Sequence, residues 1–189
     1  MSAALRPAVF LDRDGVINRS LVVDGKPYAP RRLKDFRLLP RAAVAVRMLK
    51  DAGFVVVVVT NQPDIGNGLV DPTVVEAMNA RLGQSMPVDE IKVCPHRQNE
   101  GCTCRKPRSG MLLEAATQHG IDLSASYMVG DRNGDILAGQ GAGCYTLLVR
   151  RAHLEVVTAR PDWRVRSLSE AVRVILKHKK GNETACPRC

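Results

Sequence analysis

The chain has 189 residues, of which 45% are apolar and 25% charged, and it carries a formal net charge of +9. This length fits one folded domain, and this composition excludes wholesale disorder. The longest apolar run, Phe54 to Val59, is too short to cross a bilayer, and the N-terminus lacks the pattern of a signal peptide. We therefore expect a cytoplasmic protein with no membrane partner. Its six cysteines then indicate metal or redox chemistry more than disulfides.

The hydrophobic pattern predicts strands that alternate with helices along the chain. A short buried strand at Ala8–Leu11 comes first, and a long surface loop without any period follows from Asn18 to Pro40. Predicted helices at 41–52, 71–83, 109–118, 133–141 and 167–177 separate predicted strands at 54–59, 90–93, 127–129 and 145–149. This alternation predicts a doubly wound, Rossmann-like α/β fold with a mainly parallel sheet. We expect residues 1–180 to form one domain, followed by a disordered tail at 181–189.

Charged and hydroxyl side chains follow the predicted strands at the point where each strand ends. Asp12 and Asp14 follow the first strand, Thr60 follows the long apolar strand, and Asp131 follows the strand that includes Val129. The carboxyl ends of parallel strands meet at one edge of a sheet, so these side chains can converge there. With Lys106 they supply a nucleophile, metal ligands, a phosphate-binding group and an acid. The set favours phosphoryl transfer over an ordinary Asp-x-Asp-Gly turn.

Four residues of metal-ligand type lie within eleven positions. Cys94, His96, Cys102 and Cys104 offer three thiolates and one imidazole, a set suited to tetrahedral zinc. The alternative is a group of reduced cysteines beside a surface histidine, but the linking residues 97–101 are polar and have no core of their own. We therefore predict a zinc-binding loop at 94–104. Because all four positions are filled, this zinc is expected to be structural and not catalytic.

Four segments, in order, resemble the four motifs of the haloacid dehalogenase (HAD) superfamily of phosphatases: 10–16, 59–62, 105–107 and 129–131. The resemblance implies a HAD-like fold in which Asp12 attacks the phosphorus. It also implies that Asp14 protonates the leaving oxygen and later activates water. Mg²⁺ would then be bound by Asp12, Asp131 and the backbone carbonyl of Asp14.

The same resemblance assigns the remaining site residues to substrate and phosphate binding. Thr60 and Asn61 would grip the phosphate, Lys106 would neutralise its charge, and Arg105 and Arg132 would add further cationic contacts. Two interpretations of Asp135 remain open: it is an acid that supports the metal site, or it is an exposed helix residue.

The zinc loop followed by Cys104-Arg105-Lys106-Pro107 resembles the branch of the superfamily that has no large cap domain. That branch contains heptose bisphosphate phosphatases and histidinol-phosphate phosphatases. It implies a small phosphorylated substrate, with a sugar bisphosphate ranked first and histidinol phosphate or another sugar phosphate as the alternative. Pro63-Asp64 and Asn67 depart from the pattern of the heptose enzymes. We expect a monomer or small homo-oligomer.

The rival hypothesis is a basic zinc-loop module that binds nucleic acid, motivated by the +9 charge. Such a module has no use for three carboxylates at strand ends, which would repel nucleic-acid phosphates. We therefore expect no nucleic-acid partner.

Overall fold

A computed structural model of the chain describes residues 4–151 and 156–184. A central sheet of six parallel strands has the order β5-β4-β1-β6-β7-β8. Its strands are β1 (Ala8–Leu11), β4 (Val55–Asn61), β5 (Glu90–Cys94), β6 (Tyr127–Gly130), β7 (Tyr145–Val149) and β8 (Trp163–Val165). The other two strands, β2 (Leu21–Val23) and β3 (Lys26–Tyr28), form a separate antiparallel hairpin.

The described residues contain six α-helices: α1 (Ala42–Asp51), α2 (Pro63–Gly66), α3 (Pro72–Ser85), α4 (Gly110–His119), α5 (Asn133–Gly141) and α6 (Leu168–Thr184). All except the short α2 cover the faces of the sheet. Side chains of α1, α3 and α6 pack with one face of the sheet in one apolar core, and those of α4 and α5 pack in a second core on the opposite face. The strands between them are buried on both faces, which explains the unbroken apolar run of β4. The predicted doubly wound α/β fold is confirmed.

The segment from Asn18 to Pro40 is more ordered than the irregular loop we predicted. It contains the β2–β3 hairpin, whose two-residue turn is formed by Asp24 and Gly25, both with positive φ. Asp-Gly is a known two-residue hairpin signal, but only the Leu21–Val23 side of this turn is an apolar run, so the pattern around it is weak. Within the described residues, this hairpin and the turns around it lie over the active-site edge of the sheet. The described part of the chain contains no large cap domain.

The end of the chain also differs from the prediction. Helix α6 continues to Thr184, so residues 181–184 are helical and not part of a disordered tail. The short edge strand β8 was not predicted either, because three residues carry too little periodicity. The pair Cys186 and Cys189 lies outside the described residues. None of the described helices is long and apolar enough to pass through a membrane.

The sheet order places the functional residues at its centre. Strand β1 lies between β4 and β6, and the chain leaves these three strands on the same edge. The backbone N–H of Asp12 donates to the carbonyl of Val129 at 2.9 Å, which holds the first residue after β1 against β6. Ligands of doubly wound folds bind at this kind of position, where the strand order changes direction.

Candidate active site

A cavity of about 310 Å³ opens at the carboxyl edge of β1, β4 and β6. Residues from five separate parts of the chain line it: the loop after β1, the β2–β3 hairpin, the end of β4 with the segment after it, the loop from Gln98 to Lys106, and the segment after β6. Its charged lining residues are Asp12, Asp14, Asp64, Arg105, Lys106, Arg132 and Asp135. Seven of the eight residues predicted for the phosphatase site therefore line one cavity: Asp12, Asp14, Thr60, Asn61, Arg105, Lys106 and Arg132. The eighth, Asp131, lies beside Asp12.

Three buried carboxylates form the negative part of this site. One oxygen each from Asp12, Asp131 and Asp135 lies within 4.8 Å of the others. Asp135 is 3% exposed, and its Oδ2 accepts the backbone N–H groups of Asp131 and Arg132 at 3.1 and 3.0 Å. It is therefore a buried part of the site and not an exposed helix residue.

Two glycines allow the carboxylates to approach so closely. A Cβ at Gly15, whose φ is +93°, would overlap the carboxylate of Asp131, and a Cβ at Gly130 would overlap that of Asp135. Only glycine combines the positive φ at position 15 with the space that Asp131 requires.

Lys106 supplies the positive charge inside the cluster. Its Nζ lies 2.6 Å from Asp12 Oδ1, 2.6 Å from Asp135 Oδ1 and 2.7 Å from the carbonyl of Val59. Burial lowers the pKa of Lys106, but the carboxylates of Asp12 and Asp135 outweigh burial and leave the pKa raised. The ammonium is thus held in its charged form beside Asp12.

One cation does not balance three carboxylates. Burial raises the pKa of Asp12 to about 8, opposed by Lys106 and reinforced by Asp135, Asp131 and Asp14. Burial and the neighbouring acids thus disfavour the charged carboxylate of Asp12, which is the form that acts as a nucleophile. The oxygen ligands here are hard and anionic, so the site fits a divalent cation of the Mg²⁺ type, which would restore the carboxylate.

Asp14 is held apart from that group by a set of donors that we did not predict. Asn18 Nδ2 donates to Asp14 Oδ1 at 2.8 Å, Gln62 Nε2 donates to Oδ2 at 2.8 Å, and Arg13 Nη2 lies 3.1 Å from Oδ2. The Asp14 carboxylate is not among the clustered metal-type oxygens. The metal contact expected of Asp14, through its backbone carbonyl, stays a prediction.

The other residues predicted to bind substrate, Asn61, Arg105 and Arg132, differ in the partners of their side chains. The side-chain amide of Asn61 bonds on both sides to the Lys106 backbone, at 3.0 and 3.2 Å, so it orients the lysine loop. Asn61 also lines the cavity, and its contact with phosphate stays a prediction. Arg105 has a buried Nη1 with no hydrogen-bond partner among the described residues. Arg132 Nη2 donates to the carbonyl of Pro27 at 2.7 Å, which ties the hairpin to the cavity wall.

The four predicted zinc ligands lie together. Cys94, His96, Cys102 and Cys104 each offer an atom within 4.8 Å of the others, and five of the distances between these atoms run from 3.2 to 3.7 Å. Tetrahedral zinc with bonds of about 2.0–2.3 Å needs ligand atoms roughly 3.5–3.8 Å apart. Sulfur atoms at these distances are not in disulfides. The loop therefore fits a closed zinc site.

The Cys/His loop docks against the active site on two sides. The backbone N–H of Gln62 donates to the carbonyl of Cys94 at 2.8 Å, and that of Gly66 donates to the carbonyl of Pro95 at 2.9 Å. At its other end, the loop runs directly from Cys104 into Arg105 and Lys106. The loop thus connects the segment after β4 to the lysine that contacts Asp12.

Comparison with known proteins identifies the family of this chain. Residues 103–171 match the HAD-hydrolase-like family. The chain is 40% identical over 150 residues to the D-glycero-beta-D-manno-heptose-1,7-bisphosphate 7-phosphatase of Pseudomonas aeruginosa, covering 77% of this chain and 82% of that protein. It is 34% identical over 189 residues to the enzyme of the same name from Escherichia coli K12, covering 92% and 96%.

Solved structures agree with the sequence relatives. The D,D-heptose 1,7-bisphosphate phosphatase from B. bronchiseptica, complexed with magnesium and phosphate, superposes with a TM-score of 0.78 at 27% identity. The match covers 91% of this chain and 99% of that one. The chain therefore belongs to the heptose-1,7-bisphosphate 7-phosphatase family of the HAD superfamily, and it is a phosphatase.

Proposed function

We propose that this enzyme hydrolyses a phosphomonoester in two steps through a phosphoryl group carried on Asp12. The observation that carries the proposal is the cluster of buried Asp12, Asp131 and Asp135 with Lys106 at the wall of one cavity. A carboxylate can accept a phosphoryl group there because Lys106 offsets part of the repulsion between the two anions.

In the first step Asp12 forms a bond to phosphorus while the bond to the leaving oxygen breaks, and Asp14 donates a proton to that oxygen. In the second step water attacks the phosphorus, gives its proton to Asp14, and the bond to Asp12 breaks. Thr60 is placed to hold the phosphate, because its Oγ accepts from Gln62 and its own hydroxyl hydrogen remains for a phosphate oxygen.

Mg²⁺ would be held by Asp12, Asp131 and the backbone carbonyl of Asp14, where it supplies charge neutralisation for the phosphate. Asp135 supports this arrangement through Lys106 and the backbone of Asp131. Zinc would be held by Cys94, His96, Cys102 and Cys104 as a structural ion. The described cysteines form no disulfide, which suits a reducing compartment, and we propose a cytoplasmic location.

The substrate we propose is D-glycero-D-manno-heptose 1,7-bisphosphate, with the 7-phosphate removed. The names of the relatives support this choice. A second phosphate also needs its own cation, and the cavity offers Arg105, whose buried Nη1 lacks a partner among the described residues, and Arg132 on its wall. The polar lining formed by Asn61, Asp64 and Gln98 suits a sugar with several hydroxyl groups.

The test is phosphate release from a panel of heptose bisphosphate, sugar monophosphates and histidinol phosphate, compared by kcat/KM with Mg²⁺ present. We expect the heptose bisphosphate to lead the panel. Asp12→Asn should abolish release from every member, by about 10⁴-fold or more, since the nucleophile is lost. A lead for histidinol phosphate would overturn the substrate, and unchanged turnover in Asp12→Asn would overturn the mechanism.

A further inference from the structure

Arg13 is a fully buried arginine at the back of the active site. Its guanidinium contacts Asp14, with Nη2 at 3.1 Å and Nε at 3.3 Å from Oδ2, and its Nη1 donates to Asn79 Oδ1 at 2.9 Å. The guanidinium carbon lies 5.6 Å from the centre of the Phe36 ring. Arg13 is not a lining residue of the cavity, so it is not placed to bind the phosphate itself.

Burying a guanidinium is costly unless its donors are matched, and a buried ion pair is often no more stabilising than apolar residues of the same volume. Stability is therefore a poor reason for an arginine at this position. What Arg13 does provide is a rigid planar fork that fixes both the place and the orientation of the carboxylate it contacts.

The contacts around Asp14 continue from Arg13 to the phosphate-binding hydroxyl. Gln62 Nε2 donates to Asp14 Oδ2 and to Thr60 Oγ1, each at 2.8 Å, and Gln62 is 2% exposed. Asn18 holds the other Asp14 oxygen at 2.8 Å. Helix α3 contributes through Asn79, so an element far from the cavity in sequence supports this network.

We propose that Arg13 and Gln62 are positioning residues that hold the Asp14 carboxylate where it exchanges protons with the leaving oxygen and with water. This inference rests on the proposed function of Asp14. Arg13 fixes the carboxylate from behind and is itself anchored by Asn79. Gln62 bonds to both Asp14 and Thr60, so it fixes the position of the proton-transfer carboxylate relative to the hydroxyl that binds the phosphate.

The two chemical steps separate this role from a merely structural one. When 4-nitrophenyl phosphate is the substrate, the leaving 4-nitrophenolate departs without needing a proton, so transfer of the phosphoryl group to Asp12 does not need Asp14. Hydrolysis of the phosphorylated Asp12 still does, because water must give up a proton. A displaced Asp14 therefore slows the second step selectively.

The experiment is rapid-mixing kinetics of 4-nitrophenyl phosphate with Arg13→Met. We expect a burst of 4-nitrophenolate close to one per active site, formed at a rate within about threefold of wild type, and then turnover slowed by about 10²-fold. Intact-mass analysis of acid-quenched protein should show a phosphoryl adduct that Asp12→Asn lacks. On an alkyl phosphate, where both steps need Asp14, the burst should disappear.

Asn79→Leu and Gln62→Leu serve as second variants if Arg13→Met does not fold. In each we expect the burst to be retained and the turnover after it to be slowed by about 10-fold. Arg47→Met, on the exposed face of α1, is the matched control and should match wild type. Burst and turnover that fall together in a folded variant, or that both stay unchanged, would overturn the proposal. Wild-type protein without Mg²⁺-dependent phosphate release would instead overturn the proposed function.

Discussion

The part of the chain that the structure describes contains two clusters of metal-ligand residues, and they are built in opposite ways. The Cys/His cluster takes its four ligands from residues 94–104, in one loop. The carboxylate cluster takes Asp12, Asp131 and Asp135 from the ends of two strands and the start of a helix, and its lysine from the end of the Cys/His loop. The first is a closed set, whereas the second lies at an open cavity.

This difference separates stability from chemistry. A local cluster can form as soon as its loop closes around an ion, so its free energy contributes to folding. The carboxylate cluster forms only after the sheet is assembled, and the repulsion among its acids opposes folding until a cation is present. We therefore expect substitutions in the first to lower stability and substitutions in the second to lower activity.

The sharpest test of this separation is Asp131→Asn. Removing one carboxylate should weaken Mg²⁺ binding and lower kcat/KM by about 10³-fold, because several kcal/mol of charge stabilisation are lost. The Tm without Mg²⁺ should hold or rise, since repulsion is relieved, and zinc content should stay at wild-type level. Asp51→Asn, on the exposed end of α1, is the control. A large fall in Tm or in zinc content would break the comparison.

The reciprocal test is Cys102→Ser. Loss of one thiolate opens the tetrahedral site, so zinc content should fall and Tm should drop by about 10 °C. Turnover should fall by only about 10-fold, through looser placement of Lys106. Cys144→Ser, at a buried cysteine outside the cluster, should keep its zinc. Full zinc stoichiometry in Cys102→Ser would contradict the ligand assignment.

The smallest effect concerns the pH dependence of stability without Mg²⁺. The pKa of Asp12 is raised from 3.8 to about 8 by burial, so the folded state holds a proton that the unfolded state releases. The stability contributed by Asp12 is full below about pH 4 and is lost as pH rises toward 8. Tm should therefore fall by about 5 °C between pH 5 and pH 8 and recover with Mg²⁺. A profile of the same slope in Asp12→Asn would assign the effect to other groups.

Features with local signals were predictable from the sequence. The apolar run of β4, the alternation of strands and helices, and the spacing of the four zinc-type ligands depend on near neighbours. Asp12, Thr60 and Asp131 were found because strand ends converge by topology. The hairpin also had a local signal in Asp24-Gly25, which the absence of a longer period obscured.

Features that depend on tertiary packing were not predictable. No local pattern predicts the burial of Arg13, which depends on Phe36 and on Asn79, 66 positions away. The sequence leaves Asp135 open because a helix residue five positions after the end of β6 can face either way. Asn61 was expected at the phosphate, but its amide is bonded to the backbone of Lys106, a contact that no spacing indicates.

The β2–β3 hairpin is attached to the body of the protein by side-chain contacts at its base. Arg132 bonds to the Pro27 carbonyl, and just beyond the hairpin Arg31 pairs with Asp64 at 2.7 Å, with the Arg31 side chain 46% exposed. An exposed ion pair of this kind contributes about 0–1 kcal/mol. The entrance to the cavity can therefore widen by loosening a few polar contacts, without the rotation of a whole domain. We therefore expect substrate entry and phosphate release to require less free energy than the chemical steps at Asp12.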